Sequence, residues 1–167
     1  PNEGLLAVLT LVRHRIEGDW VALPVSATMR AGEILGEAGV HVLATKTTAS
    51  ALMDASRAPG VGFAADLNGG FIVPGFLPAF DGAASLVKVL DLLAHAGGTL
   101  SDVVEGLPRI HLAHERMITP WEQKGTVMRT LVEHSAEREL ELVDGVKVHH
   151  DEAWALALPD PEEPITH

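Results

Sequence analysis

The chain has 167 residues, 47% of them hydrophobic, no cysteine and a formal net charge of −11. That is ample apolar material for a packed core in one domain or two small ones, and it excludes disulfides, thiolate metal sites and cysteine nucleophiles, in keeping with a cytoplasmic setting. The charge argues against nucleic acid and anionic membrane surfaces as partners, because phosphates are held by clustered Lys and Arg. The longest apolar runs, such as 5–11 and 154–158, are too short to cross a bilayer.

Residues 5–14 are apolar at most positions and predict the end of a helix. No signal peptide is visible, and a start at Pro1 rather than Met leads to the expectation of upstream sequence. A strand follows at 20–25 and a helix at 30–38, ended by Gly39. A buried-type strand at 40–44 leads to a helix at 50–57, which Ala58-Pro59-Gly60 terminates. Residues 61–65 predict a strand, 66–70 a turn and 71–73 another strand. Asp81 is placed to cap a helix running to Ala96, with Leu86, Leu90 and Leu93 on one face. Thr99 caps a short helix to Glu105. Strands alternating with helices predict a mainly parallel sheet with helices on both faces, since parallel neighbours need crossover connections.

Gly106-Leu107-Pro108 marks the boundary between a first domain, 1–106, and a second, 107–167. The pattern then changes. Residues 109–117 predict a strand and 121–135 a helix, with Pro120 at its start. Residues 139–143 and 146–150 predict a hairpin about Asp144-Gly145, a dipeptide that supplies the positive φ of a tight turn. A third strand is expected at 153–157. The rest, 158–167, reads as a Pro- and acid-rich loop. The second domain is therefore α+β with an antiparallel sheet, expected to stop short of a final element. The fold class is α/β, a mainly parallel sandwich followed by a small α+β domain.

This order, and two loops within it, resemble the third and fourth domains of the α-D-phosphohexomutases, the phosphomannomutase and phosphoglucomutase superfamily. The family's third domain carries a sugar-binding loop of the form Gly-Glu-x-Ser-Gly-His. Ala65-Asp66-Leu67-Asn68-Gly69-Gly70 stands in that place, with Asp66 for the Glu, Asn68 for the Ser and Gly69 matching the second Gly. The following Phe76-Leu77-Pro78-Ala79-Phe80-Asp81-Gly82 also looks like the family. The fourth domain grips the substrate phosphate with Arg-Pro-Ser-Gly-Thr-Glu-Pro. Leu158-Pro159-Asp160-Pro161-Glu162-Glu163-Pro164 occupies that place, matching both prolines and Glu163 but none of the Arg, Ser, Gly and Thr. The segment 120–129 and Asp144-Gly145-Val146-Lys147 look like a branch in bacterial mannose-1-phosphate guanylyltransferase-type fusions.

The resemblance implies phosphoryl transfer that needs a serine nucleophile and a magnesium ion held by clustered aspartates, both in domains upstream of those matched here. No Asp-x-Asp-x-Asp cluster is present, and Ser26, Ser50, Ser56, Ser85, Ser101 and Ser135 have no basic or metal-ligand setting, so no cofactor is expected in this part of the protein. The phosphate loop is degenerate on its chemistry. Leu158 cannot donate, Pro161 removes an N–H, and Asp160 and Glu162 each repel a phosphate by ~1 kcal/mol in a partly solvated site. The sugar loop keeps groups that suit hydroxyls, although Asp66 and Asn68 equally suit a strand-ending Asx turn.

Elsewhere, His149-His150-Asp151-Glu152 and His111 with His114 suggest metal, but neighbours on a strand diverge, so a solvated edge is expected. Glu33 and Glu37 form a solvated helix face. Lys124 and Arg129 are the best remaining anion donors, expected to pair with Glu122 and Glu133. The reading is a non-catalytic module of a larger sugar-phosphate or nucleotide-sugar protein, meeting a hexose phosphate weakly and its own upstream domains. Membership of a working mutase and a dimerisation module are the alternatives.

Overall fold

The computed structural model describes residues 2–151 and 153–167. The chain forms two units that divide between Ile110 and His111; the sequence places the boundary at 106–108.

In the first unit, short β-prone runs alternate with capped helices. The order is α1 (Asn2–Val12), β1 (Trp20–Pro24), α2 (Met29–Gly36), β2 (His41–Thr45), α3 (Ala49–Ala55), β3 (Val61–Ala65), β4 (Phe71–Ile72), α4 (Gly82–Ala96) and α5 (Leu100–Glu105). Threonine or aspartate side chains start the helices after β1. Thr28 accepts from Arg30, Thr48 from Ala51 and Asp81 from Ala84, while Thr99 and Asp102 close a reciprocal capping box. Asp102 accepts two hydrogen bonds from Thr99, backbone first and then hydroxyl, which hold its carboxyl below the usual range.

The strands order as β2-β1-β3-β4, with β2-β1-β3 parallel and β4 antiparallel to β3. Alternation along the strands sends side chains to two faces. Val21, Leu23, Phe63 and Ala65 pack with α1, α2 and Leu92 of α4. Ala22, Ala64 and Ile72 pack with Leu52 of α3. Val61 joins the second face although its parity matches Phe63, because the β1–β3 register shifts at that point. Gly62 permits the shift: a Cβ there would lie 2.3 Å from the Ile16 side chain and 2.7 Å from the Glu17 carbonyl. Full burial of side chains such as Phe63 and Leu23 stabilises the fold by about 1.5–3 kcal/mol each.

The helix expected after Asp81 forms, and burial shows which of its sides is covered. The Leu86–Leu90 face of α4 points outward, with Leu86 61% and Leu90 57% exposed; the helix instead buries Leu92, with Val89 partly covered. Ser85 anchors this inner side by donating to the Phe71 and Asp81 carbonyls.

The second unit holds β5 (Met117–Ile118), α6 (Trp121–His134), β6 (Leu140–Glu141), β7 (Val146–His150), β8 (Ala153–Ala157) and β9 (Ile165–Thr166). β6-β7-β8 is antiparallel, and β5 pairs antiparallel with β9. Three details differ from the sequence reading. The strand expected over 109–117 is irregular until Met117, because the partner available to it, β9, is two residues long. The hairpin is wider than the Asp144-Gly145 turn predicts: Glu141 pairs with Lys147, so Leu142 and Val143 leave the ladder with the turn. The tail expected to be loop contains β9 and folds back on itself, with Leu158 and His167 exchanging both backbone hydrogen bonds.

Candidate functional site

The first candidate loop begins where β3 ends. In parallel sheets, ligands bind outside the carboxyl ends of the strands, so a turn here is well placed. Asp66 N–H donates to the Gly70 carbonyl, and Asp66 Oδ1 accepts from Asn68 N–H at 2.8 Å and Gly70 N–H at 2.7 Å. Gly69 has φ +90°, and a Cβ on Gly70 would lie 2.8 Å from the Phe80 ring. The sequence leaves Asp66 open between sugar contact and Asx turn; its Oδ1 makes the turn. Asn68 and Gly69 are exposed, and they are the groups of this loop free to face a hydroxylated ligand.

The second candidate loop, residues 158–164, is closed on itself, and its backbone donors can be followed one by one. Leu158 N–H goes to the His167 carbonyl, Asp160 N–H to Ile165 and Ile165 N–H to Glu163. Glu162 and Glu163 N–H both go to Asp160 Oδ1, at 2.7 Å each. Pro159, Pro161 and Pro164 have none to give. Among residues 158–165 every backbone donor is therefore used within the chain. A phosphate loop works by aiming such donors at an external anion; here the Asp160 carboxylate takes that position from inside.

Asp160 is held from its other oxygen as well. Its Oδ2 lies 3.1 Å from His167 Nε2, and His167 Nδ1 lies 3.1 Å from His114 Nε2, with the two imidazoles stacked at 5.2 Å. The hydrogen bond from His167, followed by those from Glu162 and Glu163, pulls the Asp160 carboxyl down to about 2.

Lys124 meets this loop from α6. Its ammonium donates to the carbonyls of Asp160 and Glu163 and sits 3.7 Å from the centre of the Trp121 ring. The expected ion pair with Glu122 does not form, because two carbonyls and an indole face give the ammonium a better-matched set of partners. Arg129 is exposed on the same helix and makes no side-chain hydrogen bond or ion pair with the loop, nor with Glu133, among the described residues. Of the candidate donors, then, only Lys124 is brought to the loop, and it serves to shape it. Glu162 and Glu163 are exposed. His114 and His167 escaped the sequence reading as partners because 53 positions separate them and no spacing rule links them.

The remaining candidates are structural. Glu33 pairs with Arg30 and Glu37 with Arg13. His149 lies 3.5 Å from Glu141, His150 3.1 Å from Asp151, and Glu152 lies outside the described residues. Among the described residues no group of three or more His, Asp or Glu side chains is arranged to hold a metal ion, and no helix is long and apolar enough to cross a membrane.

Residues 3–110 match the family described as phosphoglucomutase/phosphomannomutase, alpha/beta/alpha domain III. A protein of Methanopyrus kandleri named "Probable phosphoglucosamine mutase" is 34% identical over 165 residues, covering 95% of this chain and 36% of the relative. A phosphoglucosamine mutase of Methanococcus maripaludis is 26% identical over 162 residues, with the same coverage. The chain thus spans about a third of the length of these relatives. In the crystal structure of a phosphoglucomutase/phosphomannomutase family protein from Burkholderia thailandensis, a region covering 99% of this chain and 36% of that one superposes with a TM-score of 0.78 at 20% identity, a likeness of fold.

Proposed function

Because this chain belongs to the phosphoglucomutase/phosphomannomutase family through its α/β/α domain III, we propose that it is the non-catalytic part of a sugar-phosphate mutase-like protein and transfers no phosphoryl group by itself. The observation that carries this reading is the closed loop at 158–164, whose donors are spent on Asp160 and on the backbone. Phosphoryl transfer also needs a nucleophile and charge neutralisation by metal or guanidinium groups. Ser56 and Ser85 give their hydroxyls to carbonyls. The described residues do not fit a magnesium site, so no step is assigned to one here. Contact with a hexose phosphate is confined to the sugar hydroxyls, through Asn68 and the backbone at Gly69. The protein works in the cytoplasm alongside sugar phosphates.

The test is a coupled assay on glucose 1-phosphate and mannose 1-phosphate with magnesium and a bisphosphate activator. We expect no turnover. Turnover that co-purifies with the chain and falls in Asn68→Ala would overturn the reading.

A second reading makes the parent a working mutase, with its serine and metal loop in sequence not contained here. It is favoured by relatives named as mutases whose similarity runs along 95% of this chain but 36% of their own length. Those names also favour a mutase parent over a guanylyltransferase-type fusion. A parent sequence carrying a serine loop followed by Asp-x-Asp-x-Asp would decide for the mutase.

A further inference from the structure

We propose that a cavity at the N-terminal end of β3, at the far end of that strand from the 66–70 turn, binds a small amphipathic anion: an aryl or alkyl body carrying one carboxylate or sulfonate charge. The cavity encloses about 450 Å³, within the range of roughly 300–1,000 Å³ found for small-ligand sites. Its walls are of two kinds. Val61, Val73 and Phe76 supply an apolar surface, and Arg15 and Lys88 supply positive charge.

The charge is the unusual part. In a chain of net charge −11, two cations line one cavity against a single carboxylate, Glu17. Among the described residues Arg15 makes no side-chain hydrogen bond or ion pair. Lys88 forms an ion pair with Asp91 at 3.6 Å, a separation that leaves N–H donors of its ammonium unspent. Both therefore keep donors for an external anion.

The apolar part extends further. Phe76 is 72% exposed and Val87 66% exposed, and a second cavity of about 600 Å³ continues from Val73, Phe76 and Lys88 along α4 to Val87; its two carboxylates are engaged, Asp81 by the Ala84 N–H and Asp91 by Lys88 and His95. A neutral hydrophobe would leave Arg15 and Lys88 unanswered, and a bare inorganic anion would leave Phe76 uncovered. Glu17, whose Oε2 lies beside Gly75, disfavours a multiply charged ligand. A monoanion with an apolar body answers Arg15, Lys88 and Phe76 and meets the least repulsion from Glu17. The inference is independent of the mutase reading, since it uses none of the residues of either loop.

Fluorescence titration of the whole chain with 8-anilinonaphthalene-1-sulfonate tests it, with the uncharged N-phenyl-1-naphthylamine as the comparison. We expect saturable binding of the sulfonate, weakened roughly tenfold or more by Arg15→Ala with Lys88→Ala, since charge-assisted hydrogen bonds are lost. Binding of the uncharged dye should not respond to that pair, while Phe76→Ala should weaken both dyes. Glu17→Gln, which keeps size and shape, should tighten the sulfonate and leave the uncharged dye alone. Absence of saturable sulfonate binding, or an affinity indifferent to Arg15, Lys88 and Glu17, would overturn the proposal. If the double variant proves unfolded by circular dichroism, Glu17→Gln decides alone: tightening supports the site and no change overturns it.

Discussion

The two units of this chain are stabilised by different physics. In the first, helices cover both faces of a four-stranded sheet, and Leu6, Leu9, Leu23, Leu35, Leu52, Phe63 and Ile72 are almost wholly removed from water. In the second, Val146 is the one buried hydrophobic side chain among the described residues, α6 buries none, and a cavity of about 440 Å³ is lined by Val127 and Leu131 of α6 and Val148 and Leu156 of the sheet. The other side chains buried there are Thr119, Lys147 and Thr166. Lys147 is held by Glu141 at 3.3 Å and by the Trp154 ring at 4.9 Å. Apolar burial carries the first unit, while backbone pairing and placed charges carry the second.

The largest expected effect comes from cutting the two apart. Residues 1–110 expressed alone should unfold cooperatively and give a dispersed amide spectrum. Residues 111–167 alone should not, because so short a chain with so little buried apolar surface lies below what usually folds unaided. A dispersed spectrum from 111–167 would break the comparison.

Single core truncations sharpen it. Phe63→Ala should cost about 3–5 kcal/mol in denaturant unfolding, and Leu131→Ala under about 1 kcal/mol, because Leu131 is only half-buried and has less apolar burial to lose. Equal costs would mean that the second unit packs as tightly as the first.

A smaller and more local effect is expected with acid. Asp160 has a folded value of about 2 against an ordinary 3.8. Its contribution to the loop is complete above 3.8 and is lost as pH falls towards 2. Amide exchange at Glu162 and Glu163 should accelerate across that window, and Asp160→Asn should flatten the dependence.

Much of the first unit was legible because its signals are local. Asp81 and Thr99 cap the helices they precede, and Asp66 to Gly70 turns where its Asx and glycine residues predict. What escaped depends on neighbours distant in sequence. The outward face of α4 has good helical periodicity, which says that a face is apolar but not whether this chain covers it. The 109–117 run has strand character but a two-residue partner. At the acidic loop, residue chemistry indicated that a phosphate would be repelled. It could not reveal that Asp160 itself fills the donor pocket, or that His167 and His114 brace it, because carboxylates facing solvent and carboxylates satisfying backbone look alike in sequence.

Residues 158–164 have no backbone donors left for an external phosphate, and the amides of Glu162 and Glu163 report on this directly. In a titration of the isotope-labelled whole chain with glucose 1-phosphate, followed by two-dimensional NMR, these two amide signals should not move saturably. Saturable shifts at both, abolished by Lys124→Ala, would contradict the account and restore the loop as a phosphate site.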